Sequence, residues 1–123
     1  MRFLALTPYL YYDNAGAPSD WLSSIFGFEE IDRFTDENGR VTNVTMRVGD
    51  GELWLDGEGR DPAAGNRAGP WTMVWVDDVD LLHRRIRDSG VECSELMDRP
   101  WGVREVQVRD LEGLNWGFLQ RIV

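Results

Sequence analysis

The stretch PWGVREVQVRDLEGLNWGFLQ, Pro100 to Gln120, decides the fold. Val106 and Val108 alternate with Glu105 and Gln107, the two-residue period of a half-buried strand. Asp110-Leu111-Glu112-Gly113 reads as a turn, because Gly113 can take a positive φ with no Cβ to clash. Leu114, Trp116 and Phe118 then alternate with Asn115, Gly117 and Leu119. The stretch is therefore a hairpin with one apolar face and one mixed face. The same pattern occurs 62 positions earlier, where TMRVGDGELWLD (45–56) lies over QVRDLEGLNWGF (107–118). Arg47, Gly51 and Trp54 fall on Arg109, Gly113 and Trp116, which suggests a duplicated unit.

The flanking elements repeat as well. Phe3 to Tyr12 reads as a strand, with Pro8 suiting an edge or a bulge. Ser19 is a candidate N-cap for a helix whose apolar face is Trp21, Leu22, Ile25 and Phe26, and Gly27 stops it. Strands follow at Phe28–Thr35, Arg40–Val48 and Gly51–Asp56, the first two joined by the Asn38-Gly39 hairpin signal. In the second half Trp71–Val76 is a strand, and Asp77 or Asp78 caps a helix carrying Val79, Leu82, His83 and Ile86 on one side. Val91–Met97, Val103–Arg109 and Leu114–Gln120 complete the set. Each half is thus βαβββ. The expected organisation is one α+β domain, with a first module over 1–57, a Gly-, Ala-, Asp- and Arg-rich linker over 58–69, and a second module over 70–123. Two such modules should form a curled mixed sheet around a cleft.

Bulk properties narrow the functional classes. A chain of 123 residues suits a single core, and six Trp make disorder a poor description. The net charge of −9 argues against nucleic acid or an anionic membrane as partner and favours a cationic or neutral ligand. Cys93 is the lone cysteine, so neither a disulfide framework nor a thiolate metal cluster is expected. The apolar runs fall far short of the ~20 residues a membrane helix needs, and a cytoplasmic location is the expectation.

The double βαβββ pattern resembles the vicinal oxygen chelate superfamily of glyoxalase I, extradiol dioxygenases and bleomycin-resistance proteins. Its most specific parts here are VWVDDVDLLHRRIRDSGV (74–91) and PWGVREVQVRDLEGLNWGF (100–118). The second resembles the PWGxREFxxRDPxGNxxxF segment of bleomycin-resistance proteins, with Leu111 in place of the Pro and Leu114 inserted before Asn115. The resemblance implies four strand positions for metal ligands, at about Leu6, Leu55, Trp71 and Gly117. None of these side chains can ligate a divalent ion, and His83, the only histidine, lies mid-helix. No metal and no other cofactor is expected. The resemblance also implies a homodimer.

Strand alternation assigns what lines the cleft. If Trp71 and Gly117 face it, so do Met73, Trp75, Asn115 and Leu119, with Leu53 and Leu55 from the first module. Val44, Met46, Val48, Val106 and Val108 must then face the helices. That leaves Asn43, Thr45, Arg47, Glu105, Gln107 and Arg109 on the cleft side, and Trp54 and Trp116 in the core. Trp101, in the Pro100-Trp101-Gly102 loop, either plugs a sheet end or offers a flat platform at the mouth; the bleomycin-resistance resemblance implies the platform. The expected function is metal-free sequestration of a planar antibiotic or related metabolite, with a cationic group favoured by net charge. The expected ligand-binding set is Trp101, Trp71, Trp75, Met73, Glu105, Gln107, Asn115, Gly117, Leu55, Asn43 and Thr45, with no catalytic residue. The alternative is a metal-independent isomerase or cyclase using Glu105 as base and Tyr9 or Tyr11 as acid.

Overall fold

The computed structural model describes residues 1–58 and 71–122. The chain divides into two compact units, Met1–Gly65 and Asn66–Val123. The expected linker over 58–69 lies, apart from Glu58, outside the described residues.

The first unit runs β1 (Tyr9–Tyr11), α1 (Gly16–Ile25), β2 (Glu29–Thr35), β3 (Val41–Val48) and β4 (Gly51–Asp56). The second runs β5 (Trp71–Trp75), α2 (Val79–Asp88), β6 (Met97–Arg99), β7 (Val103–Arg109) and β8 (Asn115–Arg121). Each holds a mixed four-stranded sheet, in order β1-β4-β3-β2 and β5-β8-β7-β6, with one parallel pair, β1 with β4 and β5 with β8. The α+β class and the duplicated βαβββ order are both present.

In the first unit α1 covers β3 and β2, burying Leu22 and Phe26 with Val44, Met46, Leu53 and Leu55. In the second α2 covers β7 and β8, burying Val79 and Ile86 with Val106, Val108, Trp116 and Phe118. Asp78 caps α2, its carboxylate accepting from the Leu81 N–H at 3.0 Å, and Gly90 ends the turn at φ 83°. Trp116 stacks on Phe118 at 6.3 Å and donates its indole N–H to Asp110 Oδ2 at 3.0 Å. Asp110 Oδ1 accepts from the N–H groups of Glu112 and Leu114, so one carboxylate ties the β7–β8 turn to the core indole.

Several boundaries differ from the sequence expectation, each for a local reason. The first strand is only Tyr9–Tyr11, paired with Trp54–Asp56, because Pro8 ahead of it has no N–H to extend the ladder. Helix α1 starts at Gly16, three residues before Ser19, because Pro18 in the first turn forfeits an N–H that has no partner there. Ser19 is then internal and buried, and its hydroxyl donates to Glu30 Oε1 at 2.6 Å, pinning α1 to β2. Residues 91–96 do not form the expected strand: Ser94 holds Gln107 through two backbone-directed hydrogen bonds, Cys93 makes a single bridge to Val108, and the strand proper is Met97–Arg99.

The largest correction concerns β4. Met46 pairs with Leu53 seven residues later, whereas the matching Val108 pairs with Trp116 eight residues later. The second turn is one residue longer, and one residue reverses the facing of a strand. Leu53 and Leu55 therefore lie in the core, Leu55 fully buried, and Trp54 lies on the opposite face, 45% exposed. Trp116, by contrast, is 1% exposed, as expected. The two tryptophans should separate in a stability measurement. Trp116→Ala is expected to cost ~3–5 kcal/mol in urea unfolding, as a large core truncation. Trp54→Ala should stay within ~1 kcal/mol, as a surface change; equal losses would contradict this register.

Candidate functional site

The face of the second sheet away from α2 gathers most of the expected site. Parallel pairing sets Trp71 beside Asn115, Met73 beside Gly117 and Trp75 beside Leu119. Antiparallel pairing sets Asn115 opposite Arg109, Gly117 opposite Gln107 and Leu119 opposite Glu105. Cross-strand partners share a face, so two indoles and a thioether stand in a row next to a polar strip. The three β5 side chains on this face, Trp71, Met73 and Trp75, are substantially exposed although the core beneath them is closed.

Glu105 is the buried centre of the polar strip. Its Oε1 accepts from Arg99 Nε at 3.0 Å and its Oε2 from Gln107 Nε2 at 2.9 Å. Burying a carboxylate is tolerable with such partners, and they fix the side chain in place. A Cβ at Gly117 would meet the tip of the Met73 side chain, Cε at 2.6 Å and Sδ at 2.8 Å, so that flexible tip would have to shift. The Met73 thioether thus lies over Gly117. Trp101 sits in the turn before β7, closed by the Gly102 N–H to the Arg99 carbonyl, and is 68% exposed. The guanidinium of Arg99 lies 6.0 Å from its ring centroid, and that of Arg121 lies 4.6 Å from the Trp75 centroid. Beside Trp71, a groove of about 590 Å³ runs between Glu92, Cys93, Ser94, Gln107 and Arg109. Burial pushes the Cys93 thiol above its ordinary pKa, so it is a neutral group there and not a thiolate nucleophile.

Asn43 and Thr45 belong to the corresponding face of the first unit, where Thr45 pairs with Trp54 and Asn43 with Asp56. Tyr9 packs edge-on to both Tyr11 and Trp54 and donates its hydroxyl to Asp56 Oδ2 at 2.8 Å. That hydrogen bond to a carboxylate holds the Tyr9 phenol above its ordinary pKa. Of the expected ligand-binding residues, Trp71, Trp75, Met73, Glu105, Gln107, Asn115 and Gly117 share the second face, with Trp101 on the turn leading into β7. Leu55 is withdrawn because it is core. Residue patterns missed Arg99, which lay in an unassigned stretch, and Arg121, which continues the Asn115-Gly117-Leu119 alternation one step past the expected strand end.

These features agree with the comparisons. Residues 5–118 match the model of the Glyoxalase/Bleomycin resistance protein/Dioxygenase superfamily, and the chain belongs to that family. TioX from Micromonospora sp. ML1 superposes with a TM-score of 0.79 at 30% identity, covering 97% of this chain and 99% of TioX. A bleomycin resistance determinant encoded on the transposon Tn5 gives 0.74 at 18% identity, covering 98% and 100%. TnmS3, an antibiotic binding protein from Streptomyces sp. CB03234, gives 0.71 at 19% identity, covering 98% and 99%. A sequence comparison with curated proteins gives no match.

The family includes metal enzymes, and the described residues at the four expected ligand positions do not fit a metal. Leu6 is exposed and precedes β1, and Trp71 and Gly117 offer no donor. The outward neighbours of Leu55 are Trp54 and Asp56, and the Asp56 carboxylate already accepts from Tyr9 and the Glu58 N–H. Among the described residues no three His, Cys, Asp or Glu side chains cluster.

The Gly117–Met73 contact gives a double-mutant test. Gly117→Ala is expected to cost less than ~1 kcal/mol, because the half-exposed tip of Met73 can swing aside, and Met73→Ala in the same chain should remove what cost there is. Additive losses in urea unfolding would show that the two residues do not share this space.

Proposed function

We propose that this chain binds and sequesters a planar small molecule, an antibiotic or a related metabolite, without a metal ion. The observation that carries the reading is the exposed row Trp71, Met73 and Trp75, with Trp101 nearby, over a unit whose core is already complete. Exposed apolar surface of this kind marks interaction sites, and a few fixed polar groups among aromatics suit ligand orientation. The antibiotic-binding description of TnmS3 and the resistance description of the Tn5 determinant support the same class of role. The isomerase or cyclase reading has less support: both Glu105 oxygens already accept hydrogen bonds, and Tyr9 donates to Asp56.

Ligand stacking should quench tryptophan emission when bleomycin-type and other planar DNA-damaging antibiotics are titrated. Trp101→Ala should weaken the best binder by ~1–3 kcal/mol, the loss of a stacked ring with its buried area, and leave the unfolding midpoint in place. A chelator should change neither binding nor stability. Absence of binding below ~100 μM across the panel, or chemical alteration of a ligand on incubation, would overturn sequestration of such drugs.

We further propose a homodimer, because pairing would cover open sheet edges and the exposed β5 wall. Light scattering should give twice the chain mass at micromolar concentration; a monomer mass would refute it.

A further inference from the structure

The charges on the second unit's open face point to a ligand of the opposite sign to that suggested by the whole chain. The chain carries −9, yet this face presents three guanidinium groups: Arg99 from β6, Arg109 from β7 and Arg121 from β8. β5 contributes no charge, and the carboxylates are Glu105 on β7 and Glu92 on the groove rim. Glu105 is neutralised by Arg99. Among the described residues neither Arg109 nor Arg121 has an ion-pair partner. Arg121 already occupies the cation position at Trp75, and Arg99 lies near the Trp101 ring. A ligand cation would have to displace those groups and sit beside like charge.

Resting on the proposed binding role, we propose that this face selects a planar aromatic bearing a carboxylate or similar anionic oxygen group at its edge. The ring stacks on the exposed indoles, and the oxygens accept from Arg121 or Arg109. Arg suits this geometry because its planar fork bonds two carboxylate oxygens at once while lying against an aromatic ring. Ionised hydrogen bonds are roughly twice as strong as neutral ones.

The test is calorimetric titration of the full chain with one ring system in three charge states: 2-naphthoate, 2-naphthamide and 2-naphthyltrimethylammonium. The naphthoate is expected to bind about tenfold tighter than the amide, a charge-assisted contact against a neutral one. The ammonium compound should bind weakest, and the naphthoate advantage should shrink as salt rises. Arg121→Gln should reduce the naphthoate-to-amide ratio severalfold, and Arg109→Gln combined with it should bring the ratio to about one. Equal binding of the three, tightest binding of the ammonium compound, or an unchanged ratio in the double variant overturns the proposal. If an antibiotic of the panel binds and no naphthalene does, the charge selection fails while the binding role stands. If neither kind of ligand binds, the binding role itself fails.

Discussion

The burial of Trp116 is the constraint on which the second unit depends. Its indole fills the space between β8 and α2, stacks on Phe118 and is held at Nε1 by Asp110. A side chain of that size has one place to go, and strand alternation then settles its neighbours. Asn115, Gly117 and Leu119 must face outward, and the pairing of β8 with β5 carries Trp71, Met73 and Trp75 to the same side. Asp110 couples this choice to the turn, so the length of the turn and the facing of the strand are fixed by one carboxylate.

How much of this was legible in the sequence varied with turn chemistry. The β7–β8 hairpin was readable because its apolar alternation and its Asp–Gly turn agree. Helix α2 was readable from Asp78, Gly90 and the Val79–Ile86 face. The β4 assignment failed because the repeat was aligned tryptophan on tryptophan. Trp54 and Trp116 match by identity, but the turns before them differ by one residue, and Leu53 is the true counterpart of Trp116. Composition could not decide that, since Leu-Trp-Leu reads as a buried strand in either facing. Arg99 and Arg121 escaped for a different reason: their roles come from cross-strand neighbours, which no local pattern displays.

Local and global electrostatics also diverge here. Net charge describes long-range attraction and solubility, whereas recognition at a face depends on groups within a few ångströms. The excess acidic side chains of this chain lie largely elsewhere, for example Asp80 and Asp98 around Arg104 on the helix side of β7, an arrangement that holds the Asp98 carboxyl below its ordinary pKa. On the other side of the same strand Glu105 is neutralised, and the tryptophans are edged by cations. A fold that in other family members carries metal ligands here presents indoles, a thioether and guanidinium groups. Such groups suit the proposed recognition of a flat molecule.

The proposed site is defined by which tryptophans would meet a ligand. The six indole N–H signals of the ¹⁵N-labelled protein, assigned by single substitution, can be followed by NMR as the tightest-binding antibiotic is added. The signals of Trp71, Trp75 and Trp101 should move in a saturable way while that of Trp116 stays fixed. Movement of the Trp54 signal with those three unchanged would place binding on the first unit's face and contradict the account.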